Sequence, residues 1–404
     1  MKNKLIYFWR YWFWQISRVF VYLYIRPKFN FTLSKESDPI PKPPFIMVSN
    51  HGTFFDPWIV GHLSRYPLSI MNNEEAFRAH PVTRWYIKQI GTFPKKKGAS
   101  DYKAMKTTLR RMKLGYPVLI FPEGQTTWDG ETQPVFPGIE KIIKLTRAPL
   151  VMMNVKGNFL SKPWWSYHYR KGRVLVTCKV IPADNVASLS QEDILKRLII
   201  HIHNSDIKDP QNRQVAFRGE RCAEGLEHFV WLCKTCRSED TLVTEGNTIT
   251  CTHCGSRWTI DPHCRLTPVD EKSAEIGDLH DWARWHKQMT IDKIATANAS
   301  TPLTVSNDVV HCETDPNGKY NDYAAGTLSL TKETFQFVSR DGNGSFTLKT
   351  DKVSDYVYQR KELFECRTES DNYKFRLPGH SPMKWVYYFR YLNNFEACET
   401  RGYL

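Results

Sequence analysis

Apolar and polar positions give the 404-residue chain three stretches of different rhythm. Between Phe45 and Val155, short apolar runs alternate with amphipathic ones. Phe45–Asn50 (FIMVSN), a run about Leu68–Met71, Pro117–Gly124 (PVLIFPEG) and Pro149–Val155 have the length and continuous apolarity of buried strands. The segments between them predict helices: one starting near Pro57, then Val82–Ile90, Tyr102–Leu114 and Gly138–Thr146. The third of these leaves Lys103, Lys106, Arg110, Arg111 and Lys113 exposed. Such alternation predicts an α/β sheet with its chemistry in the loops at strand ends. Ser34–Pro44 (SKESDPIPKPP) is a loop by its prolines and charges.

Before this region lies Leu5–Ile25, crowded with Tyr and Trp and interrupted by Arg10, Gln15, Ser17 and Arg18. No small-residue cleavage site follows, which argues against a signal peptide. On a helix Asn3, Tyr7, Arg10, Trp14, Ser17 and Arg18 fall near one stripe, with Leu5, Phe8, Trp12, Val19 and Leu23 elsewhere. The expected element is a helix lying in the plane of a phospholipid surface, with Lys2, Lys4 and the arginines near anionic headgroups. A spanning helix and a buried helix are the competing readings, and two arginines at mid-bilayer weigh against spanning.

The rhythm changes again near Cys222. Phe229–Asp261 predicts two short hairpins, Asp278–Lys293 a polar helix, and Ala297–Pro302 a linker. Seven short alternating runs follow: Leu303–Cys312, Gly326–Leu330, Thr334–Val338, Ser345–Lys349, Val353–Gln359, Leu363–Arg367 and Tyr373–Leu377. Turn signals such as Asp315–Gly318 and Asp341–Gly344 separate them, and an amphipathic helix, Ser381–Glu396, closes the chain.

Composition bounds this picture. With 41% hydrophobic and 24% charged residues the chain is globular, and its length implies several domains. The net charge of +14 is unevenly spread: residues 1–221 carry 35 basic and 16 acidic side chains, residues 222–404 carry 21 and 26. A basic front half suits an anionic surface, a phosphate-bearing substrate or an acidic carrier, and the acidic rear half argues against nucleic acid. Ten cysteines are too few for a secreted disulfide scaffold and suggest a reduced, intracellular compartment. Cys233, Cys236, Cys251 and Cys254 form two Cys-x-x-Cys pairs 14 residues apart, the spacing of a four-thiolate zinc ribbon, with Gly255 at the second knuckle turn. A closed four-cysteine site has no open position for substrate, so the expected Zn2+ is structural.

The densest chemistry is SNHGTFFDP. A strand delivers His51 to a turn, and Asp56 follows five residues later, about 500° along a helix, so the two meet only if His51 stays in the loop. Asp56 before Pro57 is the expected N-cap of the next helix. Gly91–Lys97 (GTFPKKK) and Phe121–Gly124 (FPEG) are further loops after a helix and a strand, and Pro149 opens another apolar strand.

In order and spacing, these four motifs over residues 45–215 resemble the glycerolipid acyltransferase family of 1-acylglycerol-3-phosphate acyltransferases. His51 and Asp56 match its first motif, Gly91 and Lys97 its second, and Phe121, Pro122, Glu123 and Gly124 its third; Pro149 meets the fourth loosely. The resemblance implies a membrane-associated enzyme moving a fatty acyl group from acyl carrier protein or coenzyme A to a lysoglycerolipid hydroxyl. His51 is then the general base and Asp56 holds its tautomer, with no acyl-enzyme and no catalytic metal or organic cofactor expected. Lys97 and Gly91 belong to the phosphate loop, and Glu123 and Gly124 border the acceptor. Gln125, Thr126 and Thr127 stand where the family usually has an arginine, which leaves other lysolipid or glycolipid acceptors open. A catalytically silent membrane adaptor is the reading from another class.

The expected organisation is a membrane-associated helix at 1–30, the acyltransferase domain at 31–221, the zinc ribbon at 222–265, a helical linker at 266–300, and at 301–404 a β-barrel with a capping helix that resembles a pleckstrin-homology domain. The expected location is the cytoplasmic face of the cell membrane.

Overall fold

The fold is described by a computed structural model over residues 2–73, 76–77, 80–95, 102–136, 138–315, 320–359 and 361–393. It forms two compact units, one holding residues up to Trp164 together with Tyr169–Arg218, the other Trp165–His168 and residues after Arg218.

The first unit runs α1 (Lys2–Ile25), β1 (Asn30–Leu33), β2 (Ile46–Ser49), α2 (Asp56–Leu63), β3 (Ser69–Asn73), α3 (Pro81–Gln89), β4 (Phe93–Lys95), α4 (Tyr102–Lys113) and β5 (Val118–Ile120). It continues α5 (Ile139–Thr146), β6 (Leu150–Lys156), α6 (Asn158–Ser161), β7 (Arg173–Ile181), α7 (Ala183–Ser188) and α8 (Gln191–Ile202). The seven strands form one sheet, ordered β1-β7-β6-β2-β5-β3-β4. All pairings are parallel except β6 with β7.

Successive side chains of a strand point to opposite faces. Ile46, Val48, Val118, Ile120, Leu150 and Met152 therefore enter one core layer with α5 and α8. Met47, Leu119, Val151, Met153 and Val155 enter the other, with Trp14 of α1 and Ile59 and Val60 of α2. Parallel strands buried on both faces explain the unbroken apolar runs. They also fix where chemistry is possible, because His51 and Glu123 leave the sheet at the carboxyl ends of neighbouring strands β2 and β5. β1, β7, α7 and α8 had no clear signal in the sequence pattern.

No helix among the described residues is long and apolar enough to cross a membrane. Helix α1 turns its polar stripe inward. Trp14 Nε1 donates to the Ser64 carbonyl (3.0 Å), Gln15 Nε2 to Arg65 (2.6 Å), Arg18 Nε to His62 (2.9 Å), and Arg10 Nη2 to Ile90 (2.7 Å). These acceptors lie at the carbonyl ends of α2 and α3, where helices leave oxygens without internal donors. Phe8, Trp9, Trp12, Ile16, Val19, Phe20 and Leu23 face outward, each more than half exposed.

The second unit contains β8 (Leu242–Glu245), β9 (Thr248–Cys251), β10 (Arg257–Ile260), β11 (Arg265–Pro268), β12 (Gly277–Asp278) and α9 (Leu279–Thr296). After these come β13 (Thr304–Thr314), β14 (Tyr320–Leu330), β15 (Thr334–Ser339), β16 (Phe346–Lys349), β17 (Ser354–Gln359), β18 (Leu363–Arg367), β19 (Asn372–Arg376) and α10 (Pro382–Leu392). β8 to β12 make a five-stranded antiparallel meander, extending the two expected hairpins to Asp278. The last seven strands form one antiparallel sheet, ordered β16-β15-β14-β13-β19-β18-β17. Pro316–Gly318 and the residues after Asn393 lie outside the described residues.

Helix α10 departs from the amphipathic surface cap expected of it, because every residue from Pro382 to Tyr391 is buried. Phe389 packs on Phe335 and Phe364, and Tyr387 stacks on Trp231 beside the cysteine knuckle. The fully buried Lys384 ammonium is ion-paired with Asp240, just beyond the first cysteine pair. Burying it unpaired would cost several kcal/mol, which is why an acid accompanies it.

Candidate active site and metal centre

His51 is the second residue beyond β2, and its main chain is held from both sides. Its N–H donates to Glu123 Oε1 (2.6 Å), and its carbonyl accepts from Thr127 N–H (2.9 Å). The imidazole stacks on Phe121, with ring centroids 4.4 Å apart, and remains partly exposed. Nδ1 lies 2.9 Å from Asp56 Oδ2. With Nδ1 so engaged, Nε2 is the nitrogen left to act on another molecule.

Asp56 is fully buried and surrounded by donors. Besides His51, Oδ2 accepts from Thr53 N–H (2.8 Å), and Oδ1 accepts from Thr53 Oγ1 (3.1 Å) and Asn158 Nδ2 (2.7 Å). It is not the N-cap expected from Asp-Pro. The cap is Phe55, without a side-chain bond, and Asp56 is the first helical residue. Its carboxylate reaches back over its own turn toward Thr53 and His51, which is what a buried acid serving an imidazole requires. Asn50 braces the same strand end: Nδ2 donates to the Val155 carbonyl (2.8 Å) and Oδ1 accepts from Val155 N–H (2.7 Å).

Glu123 commits both oxygens to backbone amides, Oε1 to His51 and Oε2 to Gln133 (2.6 Å). Burial drives its pKa well above the usual carboxylate range; the two amides oppose that shift, and nearby Asp56 and Asp129 add to it. Gly124 has φ +68°, and a Cβ there would lie 2.8 Å from the Phe136 ring. Gly91, at φ +85°, stands against α1, and a Cβ would fall 1.9 Å from Arg10 Nη2. Lys97 lies outside the described residues, as does Lys96; Lys95 is half-buried at the end of β4.

Residues 32–156 match the family model described as Acyltransferase. No curated protein matches the chain. Among solved structures the chain is similar to the 1-acyl-sn-glycerophosphate (LPA) acyltransferase PlsC from Thermotoga maritima, at 18% identity and a TM-score of 0.39, covering 50% of this chain and 78% of that one. It is also similar to the C-terminal domain of an unknown protein from Leishmania infantum (15% identity, TM-score 0.14, 22% and 78% covered). A third is the Slm1-PH domain in complex with inositol-4-phosphate (12% identity, TM-score 0.17, 23% and 95% covered).

The matched acyltransferase stretch holds His51, Asp56, Glu123 and Gly124 and stops at Lys156. Asn158, two residues later, escaped sequence reasoning because nothing in GNFL marks an asparagine aimed at a carboxylate 102 positions earlier. The usable signal was Gly157 after an apolar strand, a place where chain reversals begin.

In the second unit the sulfur atoms of Cys233, Cys236, Cys251 and Cys254 lie within 4.8 Å of one another. Two of the separations are 3.7 Å (Cys233 to Cys254) and 3.8 Å (Cys236 to Cys251). A tetrahedral zinc with Zn–S near 2.3 Å has S···S edges of about 3.8 Å, so the donor set fits this ion in type, number and spacing. Gly255 N–H donates to the Cys251 carbonyl (2.9 Å) at φ +71°, closing the second knuckle.

Proposed function

We propose that the N-terminal unit transfers a fatty acyl group from a thioester donor to the hydroxyl of a lysoglycerolipid, with 1-acylglycerol-3-phosphate as the acceptor. The observation that carries this reading is the His51–Asp56 pair, with Nδ1 occupied and Nε2 unencumbered, inside the stretch that matches the acyltransferase model. As the acceptor oxygen attacks the thioester carbonyl carbon, its proton passes to His51 Nε2, and buried Asp56 stabilises the imidazolium. Collapse of the tetrahedral species breaks the C–S bond, and the leaving thiolate takes the proton from Nε2. The products are a diacyl lipid and a free thiol, and His51 is again neutral. No protein nucleophile is needed, because the thioester is already activated.

The donor is acyl carrier protein or coenzyme A, each of which suits the basic residues of this half of the chain. The outward apolar face of α1 lies on the phospholipid surface, at the cytoplasmic face of the cell membrane, and brings the site to its lipid substrate. The four cysteines hold a structural Zn2+, and the seven strands with α10 are read as a pleckstrin-homology-like module.

The test is incubation of the purified chain with an acyl thioester and a mixed lysolipid pool, followed by mass spectrometry of the lipids and titration of released thiol. Phosphatidate together with one equivalent of thiol is the expected result, and absence of any diacyl product overturns the reading. A different acceptor is favoured by one observation: Gln125, Thr126 and Thr127 follow FPEG and supply no cation. Lys97→Ala then separates the two, raising KM strongly for a phosphate-bearing acceptor and little for a neutral one.

A further inference from the structure

We propose that Asn158 is a positioning residue for the His51–Asp56 pair, and that the buried carboxylate of Asp206 sets it in place. The inference rests on the acyl-transfer reading above and assigns parts of that site which lie beyond the matched stretch.

A histidine base works only if its second nitrogen is held in one tautomer, so the carboxylate facing it must not turn. Asp56 presents Oδ2 to His51 Nδ1, and a partial rotation about its last side-chain bond would carry that oxygen out of line with the imidazole. Asn158 opposes this rotation by donating from Nδ2 to Oδ1 at 2.7 Å. Its side chain also packs directly over Gly52, inside the catalytic loop, where a Cβ would stand 2.6 Å from Nδ2. Asn158 is 1% exposed, and its hydrogen bond to the pair is the one to Asp56.

What aims Asn158 is the turn that carries it. Gly157 has φ +81°, and a Cβ there would lie 2.4 Å from the Arg173 carbonyl, so a side chain at this position would force the turn open. Asp206 then grips the turn on both sides of Asn158: Oδ1 accepts from Gly157 N–H (2.8 Å) and Oδ2 from Phe159 N–H (3.0 Å). Asp206 is in turn held by Asn204 Nδ2 (2.5 Å) and Asn212 Nδ2 (3.1 Å). One small polar cavity is lined by His51, Glu123, Asn158, Asn204 and Asp206, so both ends of this relay border the same space. Asp206 is a buried acid that the hydroxyl-to-thioester chemistry does not use, and support of this turn accounts for it.

The test compares Asn158→Ala, Asn158→Asp and Asp206→Asn with the parent chain and with His51→Ala. Expected for Asn158→Ala is a fall in kcat of about 10–10²-fold with KM within twofold, the signature of a misplaced catalytic group. Asn158→Asp keeps the volume, replaces the donor with a carboxyl, and loses at least as much near neutral pH; Asp206→Asn shows the same signs with a smaller loss. ¹⁵N NMR of the imidazole without substrate reads the same effect apart from turnover, as a loss of the single Nδ1–H tautomer. Folded Asn158 variants with kcat within twofold and an unchanged tautomer overturn the proposal while His51→Ala is inactive. If His51→Ala is as active as the parent, the acyl-transfer reading itself falls.

Discussion

The two polar centres of this chain are built in opposite ways. The four cysteines lie between Cys233 and Cys254 and converge through two tight turns, so neighbours in sequence become neighbours in space. The His51–Asp56 pair also begins locally, but its backbone is fixed by Glu123, 72 positions away, and its carboxylate by Asn158, 102 positions away. The first centre needs only a hairpin to exist, whereas the second exists only once β2, β5 and β6 have paired. A local centre can therefore nucleate its own fold, and a distributed one inherits its geometry from a finished sheet.

Four measurements bear on that contrast. Metal removal should have the largest effect, because structural zinc in small domains is worth about 10–16 kcal/mol of apparent binding free energy. Chelation or Cys233→Ser is expected to abolish the near-ultraviolet signal of Trp231, Trp258 and Trp282, buried around the meander and α9. Atomic emission should find one zinc per parent chain, and a metal-free chain with an unchanged spectrum would remove the local centre from the comparison. Second, His51→Ala should lower kcat by about 10²–10⁴-fold, or about 3–5 kcal/mol, with the melting temperature unmoved.

Third, Glu123→Ala leaves two buried amides without an acceptor, at a cost of about 1–3 kcal/mol each, so denaturant unfolding should register a loss where His51→Ala does not. Smallest is a pH effect at Asp206, whose carboxyl burial pushes up to about 6 in the folded chain against about 3.9 unfolded. Between these values only the folded state holds the proton. Its contribution is therefore full below about pH 4 and is lost as pH rises through 6, about 3 kcal/mol in all. Subtracting unfolding curves of Asp206→Asn from those of the parent over pH 4–7 should reveal that slope, and parallel curves would contradict it.

What could be read in advance follows the same division. The cysteine knuckles, the α/β alternation from Phe45 to Val155 and the seven terminal strands were legible because each signal is local: a spacing, a run or a turn. His51, Glu123 and Gly124 were legible as loop residues after strands, and Asp56 as a residue at the start of the next helix. The details were not. Asp56 was expected as a cap because Asp-Pro is a helix start, yet the imidazole and Thr53 claim its oxygens. Helix α10 looked amphipathic because Lys384 and Arg390 interrupt it, yet both are buried, and the acid meeting Lys384 is 144 positions away. β1 and β7 carry four and nine residues with polar interruptions, and their pairing depends on long-range register. Asn158 and Asp206 acquire meaning only from what faces them.

Helix α1 places an unusual demand on heredity. Its Arg10, Trp14, Gln15 and Arg18 all end on main-chain oxygens, and every residue type at positions 62, 64, 65 and 90 supplies that oxygen. Substitutions in α2 and α3 can therefore accumulate without erasing these bonds, while a single change in α1 removes one outright. The hydrogen bonds of this interface are thus specified from the α1 side, whereas its packing also depends on the other side, through Gly91 beneath Arg10 and the rings of His62, Trp85 and Tyr86. A generic run of leucines grafted in their place would keep the apolar exterior and lose all four of these bonds.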